Sequence, residues 1–225
     1  MSAFTLKLIA LLTMIIDHVG AVFFPQYIWL RYIGRIAMPI YAFLLVQGYR
    51  HTRNFTRYAL RMALFAVLSE VPYDLLFQGT WLEFGNQNVM FTLLCSLLVM
   101  KLLDASAKSR NIFMFLGALC LTAVPHFLNF DYGIYGVLMV LCFFLFQKYR
   151  GIDAIAFSAL TYGYCTQHGN NVQLYAIAAS IPVLLYNGKK GPLSLKYFFY
   201  IAYPAHLLLL FAISWLVDNH LLPFI

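Results

Sequence analysis

Apolar side chains fall along this chain in nine runs, separated by turn formers or charge: roughly 4–24, 28–49, 56–77, 87–105, 111–129, 132–147, 152–167, 172–187 and 195–219. A helix that crosses a hydrocarbon core needs about 20 such residues, or a few fewer where the bilayer adapts. Each run therefore predicts a spanning helix. Runs six to eight are short, and the seventh is diluted by Ser158, Thr161, Tyr162 and Tyr164. The first run has Lys7 ahead of Leu8-Ile9-Ala10-Leu11-Leu12, in the manner of a signal sequence. No small-residue cleavage site follows, and the run continues past Asp17-His18 to Pro25, so it is read as retained. No polar stretch is long enough for a second domain, and no internal repeat is evident. The expectation is a single all-α domain over 1–225: a polytopic integral membrane helical bundle with about nine transmembrane helices.

Composition sharpens this reading. Of 225 residues, 63% are hydrophobic and 10% charged, with a mean hydropathy of +0.78. Soluble domains carry roughly 25% charged residues. A soluble enzyme, a nucleic-acid module and a disordered tail are thereby excluded; most of this surface meets lipid. The net charge of +7 is read as a topology signal. With a cytoplasmic N-terminus, 13 of the 15 basic residues fall on the inner side, leaving Arg31 and Arg35 outside. Cys95, Cys120, Cys142 and Cys165 stand singly, so neither a disulfide framework nor a metal site is expected.

Ionisable side chains within spans are costly, and each is a functional candidate by default. On this topology Asp17 and His18 lie in the outer half of the first helix. Arg31 and Arg35 share a face of the second. Glu70, Tyr73 and Asp74 share a face of the third, beside Pro72; Asn88, Thr92 and Ser96 line a stripe of the fourth. His206, beside Pro204, lies near the middle of the last run, at the end of a stripe of Tyr197, Tyr200 and Tyr203. These groups predict one polar pocket in the outer half, with Asp17 or Glu70 paired to Arg35, whose planar fork suits a carboxylate or an anionic ligand. His18 is the candidate for proton transfer. A buried ion-pair lattice that only fixes helix packing is the competing account. His126, His168 and His220 read as interface or loop residues.

The densest charge run is Arg50-His51-Thr52-Arg53-Asn54-Phe55-Thr56-Arg57, extended by Arg61. It reads either as a topology anchor meeting anionic headgroups or as a clamp for the phosphates of a nucleotide-bearing donor. Gly20, Gly34 and Gly48 permit close approach of backbones or of a thin ligand.

Five segments together carry a resemblance: Leu6-Lys7-Leu8-Ile9-Ala10 through Ile16-Asp17-His18-Val19-Gly20-Ala21; Leu30-Arg31-Tyr32-Ile33-Gly34-Arg35-Ile36-Ala37-Met38-Pro39; Gln47-Gly48-Tyr49-Arg50-His51-Thr52-Arg53-Asn54; Ser69-Glu70-Val71-Pro72-Tyr73-Asp74; and Asn86-Gln87-Asn88-Val89. In this order and spacing the sequence resembles the TraX family, integral membrane proteins associated with N-terminal acetylation of conjugative pilin. The resemblance implies a multi-pass protein of the bacterial cytoplasmic membrane that transfers acetyl groups from acetyl-CoA. The acceptor amine or hydroxyl would belong to a pilin-type peptide N-terminus, an envelope glycan or a lipid. On that reading His18, Asp17, Arg35 and Glu70 are catalytic, and Arg50, Arg53, Arg57 and Arg61 hold the donor. Arg31, Tyr73, Asp74, Asn88 and His206 line the acceptor side. No metal or nucleic acid is expected; acetyl-CoA and membrane lipids are the expected partners. About 20 Å of helical rise separates Arg57 from Glu70, comparable to an extended pantetheine arm. The rival class is a transporter or lipid translocase that uses the same buried charges.

Overall fold

The computed structural model describes residues 1–149, 151–192 and 196–219; Arg150 and His220 lie outside them. Seven of the nine runs become single helices close to their expected bounds: α1 (Ala3–Val22), α4 (Phe55–Phe77), α5 (Val89–Ser109), α6 (Ile112–Phe127), α7 (Gly133–Leu145), α8 (Ile152–His168) and α11 (Lys196–Asp218). Side chains start several of them. Ser2, Asn54, Asn88 and Asn111 each accept a backbone N–H from the first turn, giving a partner to donors that the helix itself leaves open.

Two runs are not continuous helices, and proline explains both corrections. The second divides into α2 (Ile28–Gly34) and α3 (Ala37–His51). Pro39 has no N–H to return to the Arg35 carbonyl and is tolerated only in the first turn of a restarted helix. The eighth divides into α9 (Asn171–Leu174), a 3₁₀ turn (Tyr175–Ala179) and α10 (Ser180–Leu184). There Pro182 withholds the bond to the Ala178 carbonyl.

Four stretches are long and apolar enough to cross a membrane: Ala3–Val22, Ile28–His51, Val89–Ser109 and Tyr197–Asp218. α4 is longer than α1 but carries Arg57, Arg61, Glu70 and Asp74. Exposure is inverted relative to a water-soluble protein. Leu64 and Leu68 on α4 are 55% and 53% exposed, whereas Asp17 and Glu70 are each 7% exposed and Asp74 is fully buried. An apolar coat around a polar interior is the arrangement a lipid solvent selects.

α1 packs on α2, α3 and α11; α4 lies between α5 and α11; α7 bridges α3, α5 and α8. The core proper lies where α3, α5 and α7 meet, around Ile40, Val46, Leu97 and Met139. α1, α3, α4 and α11 thus surround a space that α3 runs along for its full 15 residues, about 22 Å. At one end of this space, backbone bonds from Ala3 and Phe4 to the carbonyls of Lys189 and Lys190 tie the N-terminus to the 187–191 connection. At the other, Gln87 exchanges backbone bonds with Asn129 and Asp131, fixing the α6–α7 connection beside the start of α5.

Candidate functional site

α3 presents Ala37, Met38, Tyr41, Leu44, Leu45, Gly48 and His51 on one stripe, a spacing of three and four residues that keeps them on a single helix face. That face lines a cavity of about 780 Å³, within the range of small-molecule sites. Its two ends differ in chemistry. One is ringed by Lys7, His51, Arg53, Arg61 and Lys190, the other by Asp17, His18, Arg31, Arg35, Asp131 and Tyr132; Tyr58, Tyr200 and Tyr203 lie along the wall.

At the second end, Asp17 binds two arginines. Arg35 Nη2 donates to Oδ1 at 2.8 Å and to Oδ2 at 2.6 Å. Arg31 Nη1 donates to Oδ2 at 2.8 Å and to the Asp17 backbone carbonyl at 3.0 Å. Arg35 Nη1 reaches the Tyr132 hydroxyl at 3.3 Å and Gln173 Oε1 at 3.5 Å. One carboxylate against two guanidinium groups gives this trio a net positive charge, which Asp131, the second carboxyl at this end, partly offsets. Gly34 makes the contact possible: a Cβ there would collide with the Asp17 carboxyl. The close approach that this glycine permits is therefore taken up by the protein itself.

His18 Nδ1 lies 2.7 Å from His206 Nε2, and His206 Nδ1 lies 2.9 Å from the Ala202 carbonyl. Phe77 closes against the His18 ring edge-on at 5.4 Å. Asp131, in the α6–α7 connection, is exposed along the cavity wall, with Arg35 and Asp17 near it. Loss of bulk water pushes its carboxyl up to about 6, against the pull of Arg35.

Several expected site residues do other work. Glu70 does not pair with Arg35: its Oε2 accepts the backbone and side-chain N–H groups of Asn88, and it is not part of the cavity wall. Asn88 also donates to the Ala66 carbonyl at 2.9 Å and caps α5, so it anchors α4 to α5 and faces no ligand space. Asp74 Oδ2 accepts the Glu83 N–H at 2.8 Å and holds the α4–α5 connection. Helical rotation sends Glu70 and Asp74 toward α5, while Tyr73 alone turns into the cavity. Among the arginines, Arg53 and Arg61 line the cavity and Arg50 and Arg57 lie off it; Arg50, Arg53 and Arg57 are exposed and Arg61 is half-buried. His206 meets His18 and is absent from the wall.

Lys7, Tyr58, Tyr132, Gln173 and Lys190 join the site without having been singled out as site residues. Tyr132 and Gln173 had a signal, since each belongs to a polar cluster at a helix start. Lys7 and Lys190 read only as topology charges, and Tyr58 carries no local signal that sets it apart from the other tyrosines of the chain.

The family model described as TraX protein matches residues 2–214. A protein from Dichelobacter nodosus described as probable fimbrial assembly protein FimC, serogroup H1, is 31% identical over 93% of this chain and 94% of its own length. Uncharacterized protein RP591 of Rickettsia prowazekii (strain Madrid E) is 30% identical over 39% of this chain and 32% of its own. No solved structure matches the chain.

Proposed function

The chain belongs to the TraX family, and from that premise we propose that it is a membrane-embedded acetyltransferase. It moves an acetyl group from acetyl-CoA to an amine or hydroxyl of a pilin-type peptide, an envelope glycan or a lipid. One observation carries this reading: a single cavity joins a phosphate-suited basic end to a histidine and an arginine pair at the other. The charge distribution supports a cytoplasmic N-terminus, and hence a basic end that opens to the cytoplasm of a bacterial inner membrane.

The donor's phosphates lie against Arg53 and Arg61, with Lys7, His51 and Lys190 adding positive charge. Arg61 is suited to this task because it lines the cavity with its guanidinium set over the Tyr58 ring at 5.9 Å, which fixes its orientation. The pantetheine arm follows the α3 stripe, with Gly48 leaving the passage narrow but open. The thioester carbonyl then reaches His18 and the arginine pair. His18 takes the proton from the attacking nitrogen or oxygen as the new bond to the acetyl carbon forms. The oxygen of the tetrahedral intermediate gathers negative charge beside the net-positive Asp17–Arg31–Arg35 cluster. Collapse breaks the carbon–sulfur bond, and the departing thiolate receives the proton from His18. Acetylated acceptor and CoA leave, and His18 returns to its starting state. Position and charge supply this catalysis; no metal is invoked.

The test is label transfer: purified protein in lipid is given acetyl-labelled acetyl-CoA with whole envelope extract, and the labelled product is identified. His18→Ala must abolish the transfer. Equal labelling by parent and variant removes His18 from the chemistry; no labelling by the parent, and no thermal stabilisation by CoA, rejects the acetyltransferase.

A further inference from the structure

Two histidines 188 residues apart in sequence form a chain that ends on a backbone carbonyl. A carbonyl oxygen only accepts, so the 2.9 Å contact from His206 Nδ1 to Ala202 requires the His206 proton on Nδ1. A neutral imidazole has one N–H, which leaves His206 Nε2 as an acceptor. The hydrogen in the 2.7 Å contact therefore belongs to His18 Nδ1. With Nδ1 protonated, His18 Nε2 carries the free lone pair, and it has no hydrogen-bond partner among the described residues. The reverse assignment would set two lone pairs against each other at the Ala202 carbonyl. Ring geometry agrees: the two planes lie within 8° of each other with centroids 5.0 Å apart, so the rings meet edge to edge and the donor hydrogen points along the acceptor lone pair. Phe77 against His18 and Tyr203 against His206, at 5.4 and 5.5 Å, restrict both rings from turning away.

We infer that His206 is a positioning residue: anchored on the Ala202 carbonyl, it holds His18 as the Nδ1–H tautomer, so that Nε2 is the atom that accepts the proton. This rests on His18 being the base. When Nε2 takes the acceptor's proton, the resulting imidazolium keeps its Nδ1–H bond to His206 Nε2, which strengthens because the donor is now charged. The arrangement does for His18 what a carboxylate does for the histidine of a hydrolase triad, with a neutral ring in the carboxylate's place. Asp17, the acid next in sequence, is occupied by Arg31 and Arg35 and does not serve.

Tautomers can be read without any substrate. Full-length protein labelled with ¹⁵N-histidine, in detergent at a pH where the pair is neutral, is measured by long-range ¹H–¹⁵N correlation, with His18→Gln identifying the His18 signals. The parent is expected to show His18 protonated at Nδ1 and bare at Nε2. His206→Phe should move the population toward the Nε2–H form that a free histidine side chain favours. His206→Gln, whose amide oxygen can accept from His18, should restore the Nδ1–H form. In the transfer assay His206→Phe should lower kcat roughly 10- to 100-fold, less than the about 10⁴-fold lost when the carboxylate of a hydrolase triad no longer sets its histidine's tautomer, because no charged partner is removed here, with KM for acetyl-CoA unchanged and partial rescue by His206→Gln. A parent protonated at His18 Nε2, or a pattern that His206→Phe leaves unchanged, overturns the inference. If His206→Phe fails to fold, the parent and His206→Gln spectra still decide it. The expected tautomer in a protein that transfers no label rejects the acetyltransferase instead, so the two failures are distinguishable.

Discussion

Asp17 and Arg35 meet through both carboxylate oxygens, at 2.8 and 2.6 Å, on a single guanidinium nitrogen, and Arg31 shares one of those oxygens. The carboxylate is the hub: removing it leaves two cations facing each other in a largely buried site. Breaking a buried ion pair from one side costs about 3–5 kcal/mol. Asp17→Ala is therefore expected to lower the melting temperature in detergent sharply. Arg31→Gln should cost less, since Arg31 is the more exposed partner, at 28% against 15% for Arg35. Equal melting temperatures for parent and Asp17→Ala would mean that the triad contributes little to the fold.

The four clustered arginines should separate into two classes. Arg53→Gln and Arg61→Gln, on the cavity wall, should each raise KM for acetyl-CoA, about tenfold for Arg61, as expected for one charge-assisted hydrogen bond. Arg50→Gln and Arg57→Gln, off the wall, should leave KM within a factor of two and act only on membrane orientation. Steady-state kinetics on the four variants decides. A uniform response across all four would return the cluster to a topological role.

Gly34 lies so close to Asp17 that any side chain must displace the carboxyl. Gly34→Ala is expected to cost about 1–3 kcal/mol through overpacking and to reduce transfer as well, because the arginine pair moves with Asp17. Gly163, inside α8, whose Cβ would meet nothing within 4 Å, is the control: Gly163→Ala should leave the rate unchanged and hold or slightly raise the melting temperature, since alanine is the better helix former.

Much of this architecture was legible in the chain, and the reasons are specific. Helix existence follows from runs of apolar residues that no water-soluble fold could cover, so α1, α4 and α11 begin and end near the edges of those runs. The breaks at Arg35 and in 175–179 lie within unbroken apolar character and are caused by Pro39 and Pro182, whose effect falls four residues upstream. Which polar groups occupy the membrane interior was also visible, because their cost in lipid marks them. Their partners were not. Glu70 and Tyr73 share a helix, yet one faces α5 and the other the cavity, and only the packing of α4 against α5 and α11 sets that rotation. Pairing His18 with His206 needs α1 beside α11, a contact between the two ends of the chain that no local pattern encodes.

Asp131 gives the site a dependence on pH. Its carboxyl is raised from the ordinary aspartate value of 3.8 to about 6, chiefly because enclosure disfavours the charge, with Arg35 opposing. A carboxyl raised on folding binds its proton more tightly in the folded protein than in the unfolded chain. Its contribution to stability is therefore fully present below about pH 3.8 and is lost as pH rises through 6. Asp131→Asn removes that loss while keeping an oxygen for the Tyr132 N–H, which Asp131 Oδ1 accepts at 2.9 Å. The variant should thus melt with the parent near pH 4 and increasingly above it from pH 4 to 7. The gap should reach on the order of 1 kcal/mol, because the side chain opens to the cavity and water screens part of the effect. Melting curves at stepped pH in one detergent measure it. A constant gap would show that Asp131 keeps its ordinary affinity for protons, and that the connection between α6 and α7 admits more water than its surroundings suggest.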